Sequence, residues 1–535
     1  MVSAPSTPQS AKQQWFSNDI AILCYFGLFK LLLHFCTNQQ YGYFGDELYY
    51  MAAGEHLDWG FAEGPPLTPA IANFSRWMLG DSLFAIRLFP AIAGACTVIL
   101  TGLIARDLGG GRFAQVIAAL AVILAPGYLF LQTVLTMNAF EPLLWALCAY
   151  LTIHILKTER ISLWSIAGVV TGIGLMNKFS IFFFIVSLVL GILITPARRL
   201  LFNRWIIIGS ILAISICTPT ILWQINHHWP FLEHQRESSL YEKKGLLQSA
   251  IDLILQQIIL TNPGAVPLWG CGLYYYLFTR SGKPYRALGW SYIIILGWFL
   301  LFEGRFYYLL PIYPMLLAAG AVFLERRLQH YPAWKYTTLI ALIASGLVLL
   351  PIALPILPIK SLIRYSNTIY RPPTLSKFAQ ENSAQAPWHF RLMLGWEDTV
   401  AQVAQAYQKL LPRDRAECAI LAWSYGNAGA IDFFGPAYHL PKAISGHTGY
   451  YFWGPRDYSG NVVLSLGGNL TFLRQTFNSV ETVAIVTHEK IVGLRSTLPI
   501  YLCKGIKRPL SESWPAFKYY FKQPTTNLIT TDNLS

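Results

Sequence analysis

Apolar runs of membrane length recur from residue 20 to about residue 357, and no other feature constrains the fold as strongly. About 20 apolar residues cross a bilayer core as a helix, and only helices or closed barrels satisfy their backbone polar groups there. Runs can be drawn at 20–36, 83–105, 113–127, 139–156, 162–176, 179–195, 205–225, 263–279, 287–302, 306–324 and 335–357. That is about 11 spans, and the short runs allow between 10 and 13. The chain is 54% hydrophobic and 13% charged, whereas a soluble domain carries roughly 25% charged residues. The sequence predicts a polytopic α-helical membrane domain over residues 1–358, with a first outer loop at 37–82. Residues 359–535 are mixed in polarity and predict a water-soluble α/β domain. Its elements are an amphipathic helix at Glu397–Leu410 and strands at Cys418–Trp423, Asn461–Leu466, Val480–Val486 and Leu498–Cys503.

The net charge of +13 reflects membrane orientation rather than nucleic-acid binding. With the N-terminus inside, the short inner loops collect Arg106, Arg112, Lys157, Arg160, Arg198, Arg199, Arg204, Arg280, Lys283, Arg286, Arg326, Arg327 and Lys335. This follows the positive-inside rule. Arg76 and the group Arg236, Lys243 and Lys244 fall outside against the trend. The first run lacks a small-residue cleavage site and reads as a retained span. An odd span count puts the C-terminal domain outside, in a cell (inner) membrane protein. One helix over 162–195 would be near 50 Å long, well beyond a core of about 30 Å. A hairpin turning near Asn177 is therefore expected. Six cysteines lie in or beside apolar runs and read as small buried hydrophobes, while pairing of Cys418 with Cys503 is left open.

Polar residues that suit no packing role gather on the outer side. Asp46 and Glu47 follow the first span, Glu63 lies in a proline-stiffened loop, and Asn138 and Glu141 stand at the entry to the fourth span. Lys178 caps the hairpin, and Arg305 precedes Tyr307 and Tyr308. Carboxylates can act as general bases. Lys and Arg can hold phosphate, Arg in a forked manner. A lipid phosphate suits this set, with its tail in the bilayer and its reacting group in water. Plainer roles are available for each residue. Asp46 and Glu47 can cap the helix they begin, Glu63 can be a solvated charge, and Glu141 and Asn138 can serve a helix start. Lys178 and Arg305 can snorkel, or Arg305 can pair with Glu303. His227 and His228 read as interface residues. Lys30 and His34 either face the bundle interior or snorkel. Gly446–Pro455, rich in aromatics, either stacks on sugar rings or joins a core.

Several motifs occur in a telling order: Gly-Asp-Glu-Leu-Tyr-Tyr at 45–50, Glu-Gly-Pro-Pro-Leu at 63–67 and Thr-Met-Asn-Ala-Phe-Glu-Pro at 136–142. Met-Asn-Lys-Phe-Ser at 176–180, Arg-Phe-Tyr-Tyr-Leu-Leu-Pro-Ile-Tyr-Pro at 305–314 and Ser424–Gly435 follow. Over roughly residues 40–320 the chain resembles bacterial glycosyltransferase family 39. This is the dolichyl-phosphate-mannose–protein mannosyltransferase-like group of the GT-C fold, related to the lipid A aminoarabinose transferases. The resemblance implies transfer of a hexosyl or pentosyl unit from a polyprenyl-phosphate sugar to an acceptor hydroxyl or phosphate, on a lipid, glycan or protein, at the outer face of the membrane. It implies Asp46 as the base, Glu63 as a second acid at the sugar or acceptor, and Lys178 and Arg305 at the donor phosphate. Glu47, Asn138, Glu141, Tyr307 and Tyr308 would line the substrate. Many members carry Asp near the fourth span, where this chain has Asn138 and Glu141, so the third acidic role stays open. No metal ligand set is evident and no cofactor is required, although a divalent ion between Asp46 and phosphate is compatible. The rival reading is a transporter or flippase of a lipid-linked or small polar substrate. Clustering of the special charges at one face, without a clear internal repeat, favours chemistry at the interface.

Overall fold

The computed structural model describes residues 19–242, 245–369, 386–488 and 497–525. Lys243 and Lys244 lie outside them. Contacts divide the chain into two compact units. The helical unit comprises Met1–Gln39, Arg87–Pro219 and Lys244–Ile356; the sheet unit comprises Gln40–Ile86, Thr220–Lys243 and Leu357–Ser535. The first loop is thus grouped with the C-terminal segment, whereas the sequence alone grouped residues 37–82 with the spans. The helix Gly45–Glu55 in that loop packs on the helix Tyr425–Phe434.

Every expected apolar run coincides with helix. Among the described residues, six helices are long and apolar enough to cross a membrane: Asp19–Thr37, Leu83–Asp107, Met137–Thr158, Arg204–Asn226, Phe306–Arg327 and Pro332–Ala353. Arg112–Ile123, Leu163–Asn177 and Ile181–Leu193 are shorter apolar helices. The hairpin turns as expected, with one helix ending at Asn177 and the next starting at Ile181. The apolar window of Phe306–Arg327 is 78% buried and that of Pro332–Ala353 only 17%. The first is therefore a core helix, and the second presents an apolar surface suited to lipid. Within the helical unit, Val266–Phe278 and Tyr313–Arg327 touch through glycine. A Cβ on Gly272 would lie 1.9 Å from the Leu316 carbonyl oxygen, and one on Gly320 would lie 1.7 Å from that of Leu268. Small residues permit such backbone approach in membrane bundles.

Several helices were not expected, among them Leu67–Leu79, Pro230–Glu242, Leu246–Leu260 and Ile359–Ile369. Leu246–Leu260 carries three glutamines and an aspartate, which lowers its hydropathy. It buries Leu253, Gln256 and Gln257, and Gln257 donates to the Phe306 carbonyl at 2.8 Å.

In the sheet unit, β1 (Cys418–Ala422), β2 (Ala443–Ile444), β3 (Val462–Leu466), β4 (Phe477–Thr487) and β5 (Thr497–Ile506) form one sheet in the order β2-β1-β3-β5-β4. β1 is parallel to β2 and β3, and β5 is antiparallel to β3 and β4. β1 and β3 are buried throughout, as central strands covered on both faces are. The four strands expected from sequence are present, and the two-residue β2 was not foreseen. The core includes Leu421, Trp423, Val463, Phe472, Phe477 and Phe517. Cys418 and Cys503 are both buried free thiols. β3 separates their strands. Two strand spacings, about 9.5 Å, exceed the reach of a disulfide.

Candidate functional site

The sheet unit holds an acidic cluster built around the helix Gly45–Glu55. Glu47, buried at its third helical position, accepts a hydrogen bond from the Phe44 backbone N–H at 2.8 Å. Reaching back in this way is how a capping carboxylate closes a helix start. Asp46 is placed differently: its Oδ1 accepts a hydrogen bond from the Tyr425 hydroxyl at 2.8 Å. The C-terminal domain supplies Tyr425, which the sequence reading did not single out.

The surroundings of Tyr425 explain the Ser424–Gly435 motif. Ser424 caps the helix by accepting from the Asn427 N–H at 3.1 Å. A Cβ on Gly429 would lie 2.8 Å from the Leu48 carbonyl, so glycine there lets the two helices meet. Asp432 accepts from the Ala443 N–H at 2.7 Å and the Tyr450 hydroxyl at 3.0 Å, tying the helix to β2. The Tyr425 backbone N–H donates to His447 Nδ1 at 3.0 Å, and the Tyr425 ring stacks on His447 with centroids 5.0 Å apart. His447 Nε2 therefore carries the proton and donates to the Tyr520 carbonyl at 2.7 Å. Burial lowers His447 to about 4, so it is a neutral, fixed support for Tyr425.

Glu63 sits in a turn closed by a bridge between Phe61 and Gly64. Both carboxyl oxygens are shielded from solvent. Burial pushes the carboxyl from 4.5 up to about 7; the Tyr49 hydroxyl and the backbone pull it partly back, and the Asp46 charge adds to the rise. Burial and the Glu63 charge hold Tyr49 well above its ordinary value. Neither Glu63 nor the Tyr49 hydroxyl makes a hydrogen bond of regular geometry among the described residues. Glu63 is thus a shielded acid rather than a solvated loop charge.

The helical unit holds a separate basic cluster. Lys178 follows the helix Leu163–Asn177 with an extended backbone, and Asn177 anchors the turn by donating to the Met137 carbonyl at 2.8 Å. Lys178 Nζ lies 2.7 Å from Asn138 Oδ1 and 2.9 Å from Glu141 Oε2. The Ser180 hydroxyl donates to the other Glu141 oxygen. Lys178 also sits 3.8 Å from the Tyr308 ring centroid and 5.7 Å from that of Tyr307, within cation–π range. Arg305 donates to the Tyr307 hydroxyl at 3.2 Å. Its suggested partner Glu303 accepts from Ser249 at 2.8 Å. The structure brings together Asn138, Glu141, Lys178, Arg305, Tyr307 and Tyr308, with Glu141 as the counter-ion of Lys178.

Lys30 and His34 are fully buried, so they face the interior and do not snorkel. His34 Nδ1 lies 3.3 Å from the Thr133 hydroxyl. Gly446–Pro455 divides its rings: Tyr450 is buried, Tyr451 stacks on Trp514, and Phe452 and Trp453 line a cleft. Among the described residues no group of three or more His, Cys, Asp or Glu side chains is arranged to hold a metal ion.

Residues 63–223 match the family model described as dolichyl-phosphate-mannose-protein mannosyltransferase. The lipid A galacturonosyltransferase RgtD of Rhizobium johnstonii is 23% identical over 257 residues, 46% of this chain and 52% of that protein. The chain thus spans about half the length of the curated relative it matches. The crystal structure of ArnT from Cupriavidus metallidurans in the apo state aligns with a TM-score of 0.59 and 15% identity. It covers 92% of this chain and 98% of ArnT. ArnT bound to undecaprenyl phosphate aligns with a TM-score of 0.57 and 14% identity, covering 90% and 97%. The chain thus shares the fold of ArnT, and residues 63–223 match the mannosyltransferase family model.

Proposed function

We propose that this protein transfers a hexosyl or pentosyl unit from a polyprenyl-phosphate sugar to an acceptor hydroxyl or phosphate on the outer face of the membrane. An acceptor hydroxyl gives its proton to the Asp46 carboxylate as its oxygen bonds the anomeric carbon. The bond from that carbon to the phosphate oxygen breaks, and polyprenyl phosphate leaves with the electron pair. One displacement of this kind inverts the anomeric centre. Lys178 and Arg305 bind the donor phosphate and offset the charge that develops on it. Glu63, with a pKa about 7 and sensitive to the Asp46 charge, can exchange a proton near neutrality beside the base.

The observation that carries this reading is the holding of Asp46. Its neighbour Glu47 caps the helix, while Asp46 is aimed by a tyrosine from a remote part of the chain. A carboxylate needed only for capping has no use for such support. The fold of ArnT, with undecaprenyl phosphate in one of its structures, and the lipid A transferase relative support a lipid-phosphate donor and a lipid acceptor. The positive inner loops support an inside N-terminus and an outside C-terminal domain.

The test starts with mass spectrometry of lipid that co-purifies with the protein, followed by reconstitution with that lipid and a panel of acceptors. Transfer yields free polyprenyl phosphate and a glycosylated second molecule. A transporter would move the lipid-linked sugar across the bilayer intact, and that outcome would overturn the reading.

A further inference from the structure

Loop residues 56–62, the stretch from Trp223 to His227 and Gly449–Trp453 border a cleft of about 350 Å³, counted with its space open to solvent. All belong to the sheet unit. Aromatic rings form its walls. His56 stacks on Trp453 with centroids 4.5 Å apart, and Trp223 stacks on His227 at 4.0 Å. Phe452 lies 6.0 Å from Trp223 and 5.9 Å from His227.

Polar atoms punctuate these walls. Asp58 accepts from Trp223 Nε1 at 2.6 Å. His227 Nδ1 donates to the Trp223 carbonyl at 2.9 Å, which leaves Nε2 as the ring's acceptor. Burial lowers His56 below its ordinary 6.5, so its imidazole offers one donor and one acceptor.

That chemistry selects among ligands. An acyl chain would leave Asp58 and both histidines facing hydrocarbon, which is unfavourable. A phosphate or carboxylate would meet Asp58, and among the described residues the lining holds neither Lys nor Arg; of the lining rings Lys518 approaches only Phe452, at 5.9 Å. A sugar ring fits both features, with C–H faces against aromatic rings and hydroxyls against the polar edges. The cleft also adjoins the acid cluster. Thr220 donates to the Trp59 carbonyl at 2.7 Å and Gln224 to that of Phe61 at 3.0 Å, fastening the loop that continues into Glu63. Trp453 packs on Tyr49 with centroids 6.2 Å apart, and Tyr49 acts on Glu63.

We propose that this cleft is a saccharide subsite that seats one sugar ring beside Glu63. Its assignment to a substrate sugar rests on the transfer reaction proposed above; its ability to bind a ring does not. The ring belongs either to the donor or to the acceptor.

Saturation-transfer NMR on the full chain in lipid nanodiscs, free of glycoside detergents, tests binding with a panel of methyl hexosides and pentosides. The expected result is enhancement of ring protons for at least one glycoside, reduced about 5-fold in Phe452→Ala and in His56→Ala. Ile485→Ala, at an exposed position of β4 outside the cleft lining, should retain the enhancement and serves as the folded control. No enhancement from any glycoside with the wild type, or undiminished enhancement in both cleft variants, would overturn the proposal. In a transfer assay, Phe452→Ala should raise KM for one substrate more than it lowers kcat, and the substrate affected identifies the ring as donor or acceptor. Unchanged KM for both would also overturn it. Glycoside binding without any transfer would remove the reaction and leave the subsite standing.

Discussion

Glu63 and Lys178 are both shielded ionisable side chains, one in each compact unit, and their surroundings differ in kind. Lys178 is enclosed by a carboxylate, an amide oxygen and two tyrosine rings. It is a fixed cation, already matched by Glu141, and a phosphate arriving there must share it with that partner. No cation is among the groups that set the Glu63 carboxyl. Burial dominates, and the group stays near its proton-exchange point at neutral pH. One unit thus keeps a charge in place, and the other keeps a proton mobile. Phosphate binding asks for the first property and acid–base chemistry for the second.

The sharpest way to break this contrast is to remove the mobile-proton side. Asp46→Asn should lower transfer by about 10²- to 10⁴-fold with donor affinity retained; wild-type transfer would end its role as base. Next comes the fixed charge. Lys178→Ala should weaken donor binding and, by stranding buried Glu141, destabilise the fold by about 3–5 kcal/mol. Combining Lys178→Met with Glu141→Gln should recover the melting temperature but not donor binding, which a lipid-binding assay beside a thermal melt separates. Tyr425→Phe removes one hydrogen bond to a carboxylate and should lower kcat about 10-fold. That loss should vanish in the Asp46→Asn background, since Tyr425 acts through Asp46.

Glu63 gives a pH signature. The folded carboxyl keeps its proton to about pH 7, against an ordinary value of 4.5. Between these values the folded chain binds more protons than the unfolded chain, so stability falls as pH rises through that window. The total is on the order of 3 kcal/mol. Glu63→Gln should flatten the corresponding slope in melting temperature. The smallest effect belongs to Glu47→Gln, whose amide oxygen can still accept from Phe44; transfer should stay within about 2-fold of wild type.

Much of the architecture was legible because hydropathy reports directly on membrane helices and on buried strands such as Cys418–Ala422. The division of labour between Asp46 and Glu47 was also legible in part, since an acid at the third helical position suits capping. Leu246–Leu260 was not, because its buried face includes glutamines satisfied by tertiary partners. Tyr425 was hidden for a different reason: 379 residues separate it from Asp46, and no local periodicity encodes such a contact. The motif around it was visible, but its purpose needs the Gly429 approach to Leu48. The pairing of Lys178 with Glu141 likewise joins residues 37 apart, so sequence could name both but not show that one holds the other.

The most direct measurement supplies the nanodisc-embedded protein with its polyprenyl-phosphate sugar in a defined anomeric form and reads the product by NMR. A base at Asp46 predicts one polyprenyl phosphate released per sugar transferred, with the anomeric centre inverted. A product with retained configuration would require two displacements or attack from the leaving group's own face and would contradict the account.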